Sequence, residues 1–280
     1  MRTLATVGAI FGGLALQLAA PPRGSIASEA DTPRLADGNV NLGPISGEKG
    51  VWELSYVENM ANYIVGAPDG GGGDRSRGER ERSSAAEPQV PFLPWSAGVY
   101  DYNVRTKAKY DPEAYCLPPG GPRLFTAPYP MEIVQLPGQN RAFIIFEVSH
   151  AWREVHMDGR RHTAEKKGTW FGDSVGRYED GGKTLTIDVT NFNEGTWLDF
   201  AGHPHTNSLH VVEKFTRPAR DQLHYEALID DPGAYTRPWT VAWNIKWWPG
   251  GQLDEYVCEE NNRYIWTLKD DFGKLMFFRE

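Results

Sequence analysis

From Met131 onward the chain repeats one unit: a short run rich in β-branched and aromatic residues, then a cluster of turn formers. EIVQL is followed by PGQN, AFIIFEV leads into WREVHM, and after DGRR comes TWFGDSVGRYE. Beyond the turn DGGK the pattern continues through TLTIDVTNF, SLHVVEKF, LHYEALI, WTVAWNIKWW and LDEYVC. Such runs, separated by hairpin-type turns, predict an antiparallel meander. A long meander closes most simply into an up-and-down barrel, which removes exposed strand edges, and a two-sheet sandwich is the competitor. Helical patterning is confined to residues 95–109. The expected fold class is therefore mainly β: an antiparallel up-and-down β-barrel with an extended N-terminal wrap.

The strands are two-faced. Leu223, Tyr225, Ala227 and Ile229 alternate with His224, Glu226 and Asp230. Trp239, Val241, Trp243, Ile245 and Trp247 share one face, opposed by Thr240, Asn244 and Lys246. Leu185, Ile187 and Val189 oppose Thr186, Asp188 and Thr190, whereas Leu209, Val211 and Phe215 share their face with Glu213. In a barrel, alternate residues face the lumen. An apolar lumen would hold an apolar or aromatic ligand. A polar lumen would make a polar site, in which aromatic walls fit planar or sugar ligands.

The N-terminus reads as a separate signal. Met1 and Arg2 precede an apolar run, Leu4 to Ala20, and small residues follow. A basic start, an apolar core and a small-residue exit describe a secretory signal peptide, expected over residues 1–30. Residues 31–67 then form an N-terminal segment carrying the first strand, and residues 68–90 a Gly/Arg/Glu-rich insertion too polar to offset its ordering entropy. Residues 91–280 make the barrel domain, opening with a Pro-rich wrap. Cys116 and Cys258 are either a disulfide, as an oxidising compartment permits, or two buried thiols. A net charge of -8 excludes the basic surface that phosphate neutralisation requires, so no nucleic-acid partner is expected. No other apolar stretch approaches bilayer length, so no stable membrane insertion is expected after signal cleavage.

Two resemblances attach to these residues. Gly50-Val51-Trp52 resembles the Gly-x-Trp opening of lipocalins and related calycin barrels. That resemblance implies a tryptophan closing one barrel end against a basic side chain from a late strand, with Arg263 or Lys269 available for the part. The segments YDPEAYCLPPGGPR, MDGRRH, TNFNEGTWLDFAGHPH, IDDPGAYTRPWT and EYVCEENNR are similar to a widespread family of exported bacterial proteins. This second resemblance spans about Pro91 to Arg263 and implies export and a β fold. It carries no catalytic residues over. The chain departs from it in the insertion at Pro68 to Gln89 and in the tail beyond Arg263.

Chemistry concentrates in residues 195–213, GTWLDFAGHPHTNSLHVVE, which hold three of the seven histidines. Asp199 precedes His203, His205 and His210, and a carboxylate beside an imidazole orients the ring and raises its basicity. His203-Pro204-His205 departs from the cupin metal pattern because no glutamate follows at the required interval, and Pro204 makes the pair look like a hairpin tip. No metal and no cofactor are expected. GDSVG, with Ser174 at its centre, lacks the strand–turn–helix setting of a nucleophile elbow. The leading expectation is an exported lipocalin-like barrel that binds a small organic or carbohydrate ligand in its cavity. Arg153, His156, Asp188, Trp197, Trp239 and Trp243 are its candidate ligand-facing residues. The alternative is a cofactor-free lyase, isomerase or hydrolase using Asp199 with His205 and His210 as catalytic residues. A third reading, a structural envelope protein, predicts no cavity.

Overall fold

The computed structural model describes residues 32–66, 90–163 and 167–260, with 262, 263, 267, 269, 270 and 274 beyond. The expected signal peptide, and all of the expected insertion but Val90, lie outside the described residues. Nine strands close into one barrel in sequence order. They are β1 (Gly50–Glu53), β2 (Met131–Leu136), β3 (Arg141–Phe146), β4 (Trp152–His156) and β5 (Asp173–Glu179), then β6 (Thr184–Thr190), β7 (His210–Ala219), β8 (Gln222–Asp230) and β9 (Trp239–Pro249). One α-helix, α1 (Pro94–Arg105), lies in the Pro-rich segment, with proline at its first turn where a missing N–H costs nothing.

Two features differ from the expected meander. β4 and β5 run parallel and share only the pairs Val155↔Ser174 and His156↔Val175. A parallel pair needs a crossover rather than a hairpin, and the residues between His156 and Asp173 supply it. LDEYVC is not a strand. β9 is already paired with β8 on one side and with β1 on the other, so no open edge is left for it. That segment is instead fixed by side chains. Asp254 N donates to Glu147 Oε2 at 2.8 Å, Tyr256 N donates to His150 Nε2 at 3.0 Å, and Cys258 is disulfide-bonded to Cys116. Pro218, which cannot donate to a ladder, sits where the β7–β8 register shifts between Thr216 and Ala219.

The strand alternation resolves in one sense: the apolar face points inward. Leu223, Tyr225, Ala227 and Ile229, and with them Val241, Trp243 and Ile245, are buried, while Thr240, Asn244 and Lys246 face out. The interior is filled by the chain itself. Phe125, from the 3-10 turn Gly121–Phe125, reaches into the barrel and meets Tyr225 at 4.3 Å, Phe146 at 5.1 Å and Phe215 at 5.5 Å between ring centroids. Trp243 closes the cluster against Tyr225 at 5.0 Å and Tyr63 at 5.6 Å.

Glu213, the polar residue on an apolar strand face, also points inward. Its carboxylate takes Arg153 Nη2 at 2.5 Å and the Tyr225 hydroxyl at 3.0 Å, and the Arg153 guanidinium lies 5.6 Å from the Phe125 ring. The phenol of Tyr225 is raised well above its ordinary value, first by burial and then by the Glu213 charge, so it stays a donor.

The tryptophan of the Gly-x-Trp segment lies under a basic side chain, and that side chain is neither of the two expected. Trp52 is fully buried, donates its indole N–H to Leu42 O at 2.7 Å, and lies 4.9 Å under the Arg217 guanidinium. Arg217 comes from β7, whereas Arg263 and Lys269 are exposed. Arg217 also donates to the carbonyls of Asn41, Gly43 and Arg220, which stitches the N-terminal wrap across this barrel end. Burial holds its guanidinium down to about 10, still charged at neutral pH. Gly50 is dictated by close approach: a Cβ there would stand 2.5 Å from Trp247 Cζ2.

Because Phe125 fills space that no strand side chain reaches, Phe125→Ala is expected to lower unfolding free energy by about 3–5 kcal/mol. Urea denaturation measures this, and a loss below about 1 kcal/mol would mean the ring is not a core element.

Candidate functional site

Asp199 organises the segment that the sequence singled out. Its fully buried carboxylate accepts four hydrogen bonds: from Met60 N at 2.7 Å, Gly202 N at 3.0 Å, His203 N at 3.2 Å and His203 Nδ1 at 2.7 Å. Burial by itself would raise its pKa. The His203 ring and the amides of Met60 and His203 outweigh this and hold it below the usual carboxylate value. Gly202 makes the turn possible. Its φ is +89°, and a Cβ would meet Asn103 Cβ at 2.7 Å.

His203 is the histidine that sequence reasoning passed over in favour of its neighbours. Its ring is stacked on Phe92 at 5.5 Å, covered by Tyr100 at 4.4 Å and flanked by Trp239 at 5.8 Å. Nδ1 faces the carboxylate, while Nε2 has no hydrogen-bond partner among the described residues. The available signal was the four-residue interval from Asp199 across a turn containing glycine.

The expected hairpin tip is in fact a buried turn. Residues 202–205 are all buried, and Pro204 O accepts the Tyr235 hydroxyl at 2.7 Å. His205 does not meet Asp199. Its Nδ1 faces Thr206 O at 3.0 Å, Nε2 has no partner, and burial lowers its pKa so that the ring stays neutral. His210 does not meet Asp199 either: it starts β7 on the outer face, with Nε2 2.9 Å from Asp188 Oδ1.

The remaining candidates are dispersed. Arg153 and Trp243 belong to the barrel interior, and Trp239 lies beside His203 and Tyr235. His156 faces outward near Glu154 at 3.8 Å, and Asp188 is also on the outer face. Trp197 lies 6.0 Å from the Arg123 guanidinium. Among the described residues no group of three histidine, cysteine or carboxylate side chains is disposed to hold a metal ion.

Above the Asp199–His203 pair lies a cleft of about 980 Å³, outside the barrel. One wall is α1, through Tyr100, Asn103 and Val104. The other is the segment carrying Tyr56, Glu58, Asn59, Asn62 and Tyr63, with Phe200 and Ala201 completing the rim. Tyr100 is shared: one face covers His203, and its hydroxyl accepts Asn59 Nδ2 at 3.1 Å. Tyr56 and Phe200 form a tilted pair at 5.0 Å, and Arg123 lies 4.5 Å beneath Phe200. Arg123 is fully buried on Asp111 at 2.6 Å and within 2.9 Å of Glu113, whose contact lacks hydrogen-bond geometry. The Glu113 pKa is raised, first by burial and then by the Asp111 charge, against the opposing pull of Arg123. At the rim Lys107 and Ala108 hold consecutive left-handed backbone angles, φ 54° and 55°, a costly conformation for residues with a Cβ.

No protein-family model matches the chain, and no curated protein or solved structure was found to be similar to it.

Asp199 tests this assembly through pH. A carboxylate whose pKa is depressed on folding contributes stability that is present above its unfolded value, near ~3.9, and is lost as pH falls through the folded value. Asp199→Asn is expected to cost roughly 1–3 kcal/mol at neutral pH, because buried donors lose their anionic acceptor. In urea titrations that deficit should shrink below about pH 4. An unchanged deficit in acid would exclude the charge as its origin.

Proposed function

We propose that this chain is an exported binding protein whose small organic or carbohydrate ligand occupies the outer cleft between α1 and residues 55–63. The observation that carries this reading is the contrast between the two concave surfaces. The barrel interior is occupied by Phe125, Tyr225, Trp243 and the Arg153–Glu213 pair, whereas the cleft combines ring faces with polar side chains. Tyr56 and Phe200 supply a platform for a sugar or planar ring, and Glu58 and Asn62 supply polar groups to read its edge. The ligand-facing set therefore moves from Trp239 and Trp243 to Tyr56, Asn62 and Phe200.

Export is supported by the apolar N-terminal run and by the Cys116–Cys258 disulfide, a bond that persists in oxidising compartments. Among the described residues no helix is long and apolar enough to cross a membrane. The resemblance to exported bacterial proteins points the same way.

An acid–base enzyme is the weaker reading. His203, the ring that Asp199 orients, is fully buried beneath Tyr100, so a substrate in the cleft would meet the phenol and not the imidazole. The buried Asp199 carboxylate then acts as a positioning group for the cleft wall.

Titrating the mature chain with a panel of mono- and oligosaccharides, followed by amide chemical shifts, checks the site. Perturbations are expected around Tyr56, Asn62 and Phe200. Tyr56→Ala should weaken binding by roughly tenfold, the upper range for one aromatic contact. Shifts centred on the Trp243 indole would return the ligand to the lumen, and no binding across the panel would exclude carbohydrates.

A further inference from the structure

The parallel β4–β5 seam shares only two paired positions; β1–β2 shares one, and every other seam of the barrel shares at least four. The crossover that connects these two strands passes over the outer face, and His162 within it is caught between two carboxylates. Its Nδ1 lies 3.1 Å from Asp173 Oδ2 on β5, and its Nε2 lies 2.9 Å from Asp188 Oδ1 on β6. Thr163 N donates to the same Asp173 oxygen at 3.1 Å, and His210 Nε2 on β7 approaches the same Asp188 oxygen at 2.9 Å.

An ionised carboxylate only accepts hydrogen bonds, and a neutral imidazole carries one N–H. A neutral His162 would therefore aim a lone pair at one of its two carboxylates. Both contacts are satisfied together only when both ring nitrogens carry hydrogen, or when one carboxyl takes the proton instead. Either way the closed arrangement holds one proton that the open one does not need. The pocket is partly shielded, with side-chain exposures of 28% for His162 and 7% for Asp173. Other charges near it include Arg160, already bonded to Asp158, Glu154 on β4, and Asp230 on β8 opposite His210.

We propose that His162, bridging Asp173 and Asp188, is a proton-dependent latch that fastens the crossover over the β4–β5 seam and releases it as pH rises. The sign follows from proton count: the state that binds the extra proton is favoured in acid and loses ground in base.

The test is hydrogen exchange of the peptide spanning residues 157–163, corrected for intrinsic pH dependence, between about pH 5 and about pH 9, which brackets the ordinary histidine range. In the mature wild-type chain, protection is expected at the acid end and is expected to fall at least tenfold at the basic end. His162→Gln should be unprotected at both. Asp188→Asn should be protected at both, because its amide can donate to the bare ring nitrogens of His162 and His210, which the carboxylate cannot. Imidazole ¹⁵N shifts provide an independent check: the His162 signals are expected to change over the same pH interval in which protection falls. Wild-type protection that does not vary with pH, or Asp188→Asn following the wild-type profile, would overturn the latch. So would stoichiometric zinc uptake abolished by His162→Gln, which would make the cluster a cation site.

Discussion

Closure of the sheet through β9 and β1 sets the terms for the rest of the molecule. Once β9 pairs with both neighbours, the interior has a fixed girth that must be filled, by a ligand or by the chain. Here the chain does it. Phe125 is delivered from outside the strand sequence by the turn Gly121–Phe125, and its ring completes an aromatic cluster that strand residues alone leave open. The Pro-rich wrap is thus part of the core. The disulfide ties Cys116 in this wrap to Cys258 beyond β9, so both flanks of the barrel are tethered.

Within this apolar interior the Arg153–Glu213 pair is an expense: desolvating two charges costs several kcal/mol each, and their attraction repays that only with good geometry. The geometry is partly good. Glu213 is satisfied by Arg153 and Tyr225, while Arg153 Nε and Nη1 have no partners among the described residues. The pair is also tied to strand register. Glu213 occupies an inward position on β7, and a slip by one residue would turn it outward and bring Lys214 in.

The fold was legible where periodicity was strong. Alternation along β6, β8 and β9 marks an apolar face, and burial requires that face to be the inner one. The parallel β4–β5 pair was not legible, because DGRR reads as a hairpin turn and nothing local marks it as the start of a crossover. LDEYVC has strand composition but no edge to join, a fact of closure and not of local sequence. At the site, the cluster 199–210 was visible as chemistry, but its pairings were not. Asp199 takes His203 because a four-residue turn brings them together, and His210 falls on the opposite side of the sheet from the buried turn. Arg217 over Trp52 was missed for the same reason: a cation–π partner is chosen by strand order, not by proximity to the chain end.

The cleft adjoins the filled barrel and shares Tyr63 with its core, where that ring meets Trp243. Its wall is not a free loop. Met60 N reaches into the Asp199 carboxylate, Ala201 N donates to Glu58 O at 2.8 Å, and Asn103 Nδ2 donates to Gly202 O at 2.9 Å. The two walls and the rim therefore converge on one buried turn, Asp199 to His203. The Asp199 carboxylate with its four donors fixes its own turn and ties Met60 to it, at little cost in rotamer freedom because aspartate has only two side-chain torsions, while Asn103 joins α1 to the same turn through Gly202 O. His203 then spaces the assembly. Its ring lies between Tyr100, which lines the cleft, and Phe92, while its Nδ1 is held by Asp199.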